Sequence, residues 1–304
     1  MGSLAPRPAP THVIAHLSDP HLLAGDRLLS GRIDTAAQLR QALSRVEESK
    51  ETFDAIVLSG DLTDSADPDA YALLLEIAQP VVDRLGAALV MTGGNHDERR
   101  PLAATLFGSD TDAPQDRVTH LRGLRLITLD SAVPGYHHGG FSDAQYNWLA
   151  TELATPADFG TVLVMHHPPI TYHSPTMAML DFDDPARLGR VLAGTDVRAI
   201  LSGHLHVTTF GTLSGIPVMV AGGVSYVDDV GAPRELMIGV DGPQSWNLIE
   251  LHAGAEGERM GEVVASVAPV ARHPGWPALS EAVRDYMSTV PADDRREVFS
   301  RKRS

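Results

Sequence analysis

Short apolar runs that end in polar or glycine-rich turns recur along the chain. Val13-Ile14-Ala15-His16-Leu17 leads into Ser18-Asp19-Pro20-His21, and Ala55-Ile56-Val57-Leu58 leads into Ser59-Gly60-Asp61. Residues 88–91 lead into Gly93-Gly94-Asn95-His96-Asp97, 162–165 into His166-His167-Pro168-Pro169, and 197–201 into Gly203-His204-Leu205-His206. Runs of four or five residues, rich in Val, Ile and Leu and closed by Gly or Pro, predict buried strands. Between them the apolar period becomes helical. Segment 35–49 sets Ala36, Leu39, Leu43 and Val46 on one stripe behind an Asp34 N-cap. Segment 68–85 does the same with Leu74, Ile77, Val81 and Leu85, and Pro80 is expected to kink or split it. Segment 142–154 opens on a Ser-Asp cap. Strand, turn and helix in repetition predict an α/β fold, a sheet with helices on its faces.

Beyond residue 205 the texture changes. Runs at 207–213, 216–220, 236–240 and 246–251 are parted by Gly and Pro turns with no helical stripe between them, which predicts a second sheet or an antiparallel extension. The chain then reads as a Pro-rich, mobile stretch at 1–11, a main domain at 12–251 that holds every motif, and a partly flexible extension at 252–304. In that extension one short helix is expected at 281–287, and the end, Arg301-Lys302-Arg303-Ser304, is basic and reads as a solvated tail.

Composition narrows the chemistry. The 304 residues are long enough for one large core, and 43 % hydrophobic with 21 % charged residues argues against wholesale disorder. The absence of cysteine excludes disulfide scaffolds, thiol catalysis and thiolate-bound metals, so any metal must be held by imidazole and carboxylate, for which 14 histidines are available. A net charge of −15 repels nucleic acid and anionic membranes, and no basic stripe interleaved with aromatics suggests a nuclease. No run reaches the ~20 apolar residues of a membrane span, and residues 1–8 lack the apolar core of a signal peptide, so the expected location is cytoplasmic.

Asp19, His21, Asp61, Asn95, His96, His166, His204 and His206 all sit just past the carboxyl end of an apolar run, the edge where open α/β sheets bind ligands. Each motif alone is weak; five in order are not. Oxygen and imidazole donors without thiolate suit Mn, Fe, Co or Zn. Asp61 is able to bridge two cations and Asn95 is a neutral oxygen ligand, so two divalent ions against two carboxylates leave about +2 of local charge for an anionic phosphate.

The ordered set Asp19-x-His21, Gly60-Asp61, Gly94-Asn95-His96-Asp97, His166 and Gly203-His204-x-His206 resembles the motifs of the calcineurin-like metallophosphoesterases over roughly residues 12–251. The resemblance implies a four-layer αββα sandwich, two mixed sheets flanked by helices, with a dinuclear site where the strand ends meet. It implies one metal on Asp19, His21, Asp61 and His206, and a second on Asp61, Asn95, His166 and His204. His96 stays off the metals, contacts the phosphate beside His21, Asn95 and His206, and serves the leaving oxygen. The chain departs from the protein phosphatases, having Ser65 and Ala66 after Asp64 and Asp97 in place of Glu, and from the purple acid phosphatases, having Asp64 at their tyrosine position.

His166-His167-Pro168-Pro169-Ile170, with Leu188-Gly189-Arg190-Val191-Leu192 and the stretch 194–201, resembles bacterial, particularly actinobacterial, class III cyclic-nucleotide phosphodiesterases. That implies hydrolysis of 3′,5′-cyclic AMP to the 5′-monophosphate by in-line attack of a hydroxide held between the metals, with iron and manganese as the favoured pair and a homodimer as the assembly. A glycerophosphodiesterase or broad small-diester hydrolase would use the same ligands. A phosphoesterase-like scaffold that binds a partner protein would have lost ligands, and none is lost here. Among the other histidines, His16 reads as a core residue and His167 as a packed neighbour of a ligand, while His137 and His138 read as surface loop. Asp97 reads as a partner of ligands rather than a ligand, and the acidic run 181–184 as a cap for the helix opened by Pro185.

Overall fold

The computed structural model describes residues 9–254, 260–291 and 294–301. Most of the stretch expected to be mobile at 1–11, and Lys302, Arg303 and Ser304 of the basic end, lie outside the described residues. In chain order the elements are β1 (His12–Leu17), α1 (Thr35–Glu48), β2 (Ala55–Ser59), α2 (Pro68–Leu85), β3 (Ala88–Thr92) and α3 (Arg99–Phe107). There follow β4 (Arg117–Leu121), β5 (Leu124–Leu129), α4 (Asp143–Leu153), β6 (Thr161–Met165), α5 (Pro185–Leu192) and β7 (Val197–Ser202). The last are β8 (Thr209–Leu213), β9 (Ile216–Val220), β10 (Val227–Asp228), β11 (Gly239–Val240), β12 (Ser245–Leu251) and β13 (Val263–Pro269).

One sheet runs β13-β12-β1-β2-β3 and the other β4-β5-β6-β7-β9-β8. Both are mixed: β1, β2 and β3 are parallel, as are β5, β6, β7 and β9, with antiparallel strands at the flanks. The apolar runs are continuous because each strand buries both faces. In β1, Val13, Ala15 and Leu17 pack against Leu39, Leu43 and Val46 of α1 and Leu74 of α2, whereas Ile14 faces the second sheet. Val57 and Val90 meet Leu126, Val162, Val164 and Leu201 in that inter-sheet core. The outer face of the second sheet, Ile127, Leu163 and Ile200, takes Leu149 of α4 and Leu188 of α5. Helix, sheet, sheet, helix is the expected four-layer sandwich, and it stacks the carboxyl ends of β1, β2, β3, β6 and β7 along one edge.

The caps agree with the sequence. Asp34 accepts from the Ala37 N–H at 2.9 Å, Ser142 and Gln145 form a reciprocal capping box, and Asp184 accepts from Arg187 ahead of α5. Helix α2 is not split at Pro80, for it runs as one helix from Pro68 to Leu85. Pro80 and Glu76, whose carbonyl the missing N–H would have met, both lie on its exposed face, open to solvent. The strand expected at 236–240 narrows to β11, paired only with β10, and Leu236 and Met237 are exposed.

The described residues between 10 and 271 make one compact unit, in which β13 follows residue 251 and pairs with β12 along its whole length. The described residues from 272 onward belong to a second unit with α6 (Glu281–Thr289) and α7 (Arg295–Ser300), whose Tyr286 and Phe299 rings meet edge-on at 5.7 Å.

Candidate metal centre

The turns after the parallel strands are built tightly enough that backbone and ligand compete for the same space. Asp19, His21, Asp61, His204 and His206 all have positive φ, between 44° and 71°. Side chains pay about 1 kcal/mol or more for such a conformation, which persists only where the surroundings over-determine it. The neighbouring glycines show how. A Cβ on Gly94 would stand 2.3 Å from the Asp61 backbone nitrogen, and one on Gly203 would stand 1.8 Å from Ser18 Oγ. Gly60 lies against the His166 ring in the same way.

Asp97 ties two of these turns together. Its buried carboxylate accepts from the backbone N–H groups of Leu62 (2.9 Å), Thr63 (3.2 Å) and Gly94 (2.9 Å), and from the hydroxyls of Tyr71 (2.8 Å) and Thr63 (3.2 Å). Burial and the nearby Asp61 push its carboxyl upward from the ordinary value, against these donors.

Asp19, His21, Asp61 and His206 converge so that one ligand atom from each lies within 4.8 Å of the others, all buried. Asp61 Oδ2 stands 3.4 Å from His21 Nε2 and also 3.4 Å from His166 Nε2. His166 Nε2 in turn faces Asn95 Oδ1 at 3.1 Å. His204 is brought in by its backbone N–H, which donates to both Asp19 oxygens at 3.1 Å, and its ring lies 5.1 Å from that of His166. The seven residues expected as ligands thus form one continuous cluster, with Asp61 at its middle.

Each imidazole uses one nitrogen on the protein, and this fixes which nitrogen faces inward. His166 Nδ1 donates to Ser59 O at 2.9 Å, His206 Nδ1 to Tyr226 O at 3.1 Å, His204 Nε2 to Leu180 O at 3.1 Å, and His21 Nδ1 to Asp64 Oδ1 at 3.2 Å. So anchored, His21 and His166 turn Nε2 toward Asp61 Oδ2 at 3.4 Å and His206 turns Nε2 toward Asp19 Oδ1 at 3.5 Å, and such a convergence of ligand atoms on two carboxylates fits a cation between them. About 2.1 Å from a common ion, two ligand atoms stand about 3.0–3.4 Å apart, the spacing found here.

The titration of the groups speaks for positive charge at the same place. Burial pulls the His166 ring down, but the Asp61 carboxylate reverses this and raises it to about 9. For Asp61, burial raises the carboxyl, and the His166, His21 and His96 rings pull it well below the usual range. Burial lowers His204 to about 3 and His206 to about 4, so both stay neutral and able to ligate. His167 lies near His166 and His204, yet Ser131 Oγ at 2.8 Å and His137 O at 3.2 Å engage both of its nitrogens, which makes it a packed neighbour.

His96 stands at the rim, a third exposed, with its backbone N–H on Asp61 Oδ1 at 2.9 Å and its Nδ1 on Asp64 O at 3.0 Å. Three neighbours were not expected in the site. Asp64 anchors both His21 and His96, and its place in Gly60-Asp61-x-x-Asp64 was the available signal. His137, expected on a surface loop, is exposed but bonds Asn95 Nδ2 at 3.0 Å. Tyr226 stacks on His206 with centroids 3.9 Å apart, and nothing in the local sequence announces it.

Comparison with known proteins follows the same line. The profile of the calcineurin-like phosphoesterases matches residues 12–208. A probable cyclic nucleotide phosphodiesterase of Rhodococcus erythropolis is 43 % identical over 267 residues, 88 % of this chain and 86 % of its own. A cAMP/cGMP dual specificity phosphodiesterase of Mycobacterium tuberculosis is 44 % identical over 267 residues, 88 % of this chain and 82 % of its own. Among solved structures, a dimetal phosphatase from Danio rerio superposes with a TM-score of 0.56 at 16 % identity, covering 84 % of this chain and 98 % of its own, a likeness of fold.

Proposed function

Since this chain belongs to the calcineurin-like phosphoesterase family, we propose that it is a dinuclear-metal phosphodiesterase that hydrolyses 3′,5′-cyclic AMP and other cyclic nucleotides to their 5′-monophosphates. The observation that carries the reading is Asp61 Oδ2, equidistant at 3.4 Å from an imidazole of each half of the cluster. Asp19, His21, Asp61 and His206 would hold one cation, and Asp61, Asn95, His166 and His204 the other. The two relatives above support the nucleotide as substrate. Iron with manganese is the favoured pair; manganese, cobalt and zinc suit the same donors.

When bound, the cations would supply Lewis acidity that activates water near neutral pH and neutralises the phosphoryl oxygens. The rest falls to the chain. Asn95 and His96 meet the phosphate at the rim, and the tight turns hold the ligands through the reaction without rearrangement. His96 Nδ1 is committed to Asp64 O, so its proton exchange runs through Nε2. A hydroxide oxygen, formed when water has given up one proton, bonds to phosphorus, the P–O3′ bond breaks, and His96 Nε2 delivers a proton to the departing O3′. The same reading makes the protein a cytoplasmic homodimer. Among the described residues no helix is long and apolar enough to cross a membrane.

The test is an assay of the purified, metal-analysed protein on cyclic AMP, with glycerophosphocholine and 2′,3′-cyclic AMP as competitors for the assignment. About two metals per chain, 5′-AMP as product and solvent oxygen-18 only on the phosphate are expected. His96→Ala should lose more activity on alkyl than on nitrophenyl esters, by about 10–100-fold, with metal content unchanged. Two metals with a higher specificity constant for glycerophosphocholine would move the substrate to another small diester; no tight metal would overturn the reading.

A further inference from the structure

The cavity that opens on the cluster, about 280 Å³, has two kinds of lining. Asp61, His96 and His206 belong to the cluster, whereas Met177, Leu180, Met237 and one further carboxylate, Asp228, lie outside it. Asp228 is fixed there. Its backbone N–H bonds His206 O at 3.3 Å, which fastens β10 to a ligand-bearing turn, and the Tyr172 hydroxyl donates to its Oδ2 at 2.6 Å. Burial, and then the carboxylate itself, hold the Tyr172 phenol above its ordinary value, so it stays a donor. Two further bonds, Ser174 Oγ to Arg234 O and Thr176 Oγ1 to Glu235 O, tie the same two walls together.

Among the described residues no other donor reaches this carboxylate and no cation pairs with it. An acid facing a chamber built to receive a phosphate would repel the ligand, unless the part of the ligand that reaches it brings hydrogen-bond donors. A cyclic nucleotide carries such donors on its base edge, and thioether and leucine walls suit the flat faces of an aromatic ring.

We propose that Asp228, held by Tyr172, reads the base of the substrate, and that it favours guanine over adenine. Guanine sets N1–H and N2–H side by side toward a two-oxygen acceptor, whereas the adenine edge pairs one donor with an acceptor that a carboxylate repels. The inference rests on the cyclic-nucleotide reading above.

The experiment compares kcat/KM for cyclic GMP, cyclic IMP and cyclic AMP in the metal-loaded full chain, with bis(4-nitrophenyl) phosphate as a substrate that has no base. The readout is the cyclic GMP to cyclic AMP ratio within one preparation, because poor folding or metal loss lowers both terms alike. Asp228→Asn should lower that ratio about tenfold or more, since an amide offers the donor and acceptor that adenine matches. Cyclic IMP, which keeps N1–H and lacks the 2-amine, should fall between the two in the unaltered protein. If Asp228→Asn does not fold, Tyr172→Phe frees the carboxylate and should lower the ratio about threefold. A ratio that stays within twofold of the unaltered protein in the folded variant overturns the inference and leaves the proposed function intact. Hydrolysis of bis(4-nitrophenyl) phosphate but of neither nucleotide would sink both together.

Discussion

The Nε2 atoms of His21 and His206 stand 3.1 Å apart although 185 positions separate the residues in the chain. Asp64 and the Tyr226 carbonyl hold the opposite nitrogens, so the two inward nitrogens face each other in a buried pocket, where burial pulls the His21 ring down but the Asp61 and Asp64 carboxylates raise its proton affinity above the ordinary value. A cation shared by the two rings would take the place of that proton and join segments far apart in the chain, so metal and fold stability are linked.

Removal of metal should therefore cost stability before it is measured as lost activity. Chelation is expected to lower the midpoint of thermal unfolding by roughly 5–10 °C, and added Mn²⁺ to restore it, from a binding contribution of a few kcal/mol in a chain of this size. Differential scanning fluorimetry checks this; equal midpoints with and without chelator would show that the cluster folds at no cost.

Asp97 should prove more costly to remove than residues nearer the substrate. Asp97→Ala leaves the N–H groups of Leu62 and Gly94 and the Tyr71 hydroxyl unpaired in the interior, an expected loss of about 3 kcal/mol or more. Tyr71→Phe deletes one donor and should cost about 1 kcal/mol. Urea midpoints report the difference, and metal content should fall with Asp97→Ala, because Asp61 and Asn95 ride on the turns it ties. Full metal content in a destabilised Asp97→Ala would limit Asp97 to a role in the core.

The glycines give a sharper steric test. Gly203→Ala places a methyl 1.8 Å from Ser18 Oγ and 2.6 Å from Asp19 Oδ2, and neither atom sits on a long, yielding side chain. Something must shift by more than an ångström beside a ligand, so activity should fall at least about a hundredfold, with a stability loss of about 1–3 kcal/mol. Gly108→Ala is the control, in a position with φ of +64° but open space: it should cost about 1 kcal/mol and leave turnover alone. Similar losses of activity in both would show that backbone strain, not the cluster's tight fit, sets the effect.

The ligand turns were legible because the chemistry demands particular residue types directly after buried strands, and such strands are continuous in sequence. What lay between was less so. β4, with Arg117, Thr119 and His120 in an edge strand, lacks the apolar run of a buried one, and α3 opens on Arg99-Arg100-Pro101 with only Leu102 and Ala103 buried. β13 has mostly small residues and covers a sheet edge, so its pattern is faint. The partners of the ligands were hidden for another reason. Ser59, Leu180 and Tyr226 anchor imidazoles through backbone carbonyls, which any residue supplies. His137 reaches Asn95 only because the loop carrying it folds over a different strand end.

His16 makes a prediction independent of the metal. It is fully buried on the inter-sheet face of β1, where Nε2 meets Ser59 Oγ at 2.9 Å while Nδ1 has no partner, and its register neighbour Asn247 leaves Oδ1 unpartnered as well. Burial drives the imidazole down to about 3 from an unfolded value of 6.5. Above pH 6.5 neither state is protonated and the residue adds no pH dependence. As the pH falls below 6.5 the unfolded chain takes up a proton that the folded chain refuses, so stability drops by about 1.4 kcal/mol per pH unit until the folded value is reached. Between pH 6.5 and pH 4 this amounts to roughly 3 kcal/mol. His16→Gln removes the proton-linked part whatever it costs at neutral pH. Urea unfolding of both proteins in chelator, from pH 7 to pH 4.5, should therefore show a shallower loss of stability in the variant; parallel curves would mean that the imidazole is protonated or solvated in the folded state.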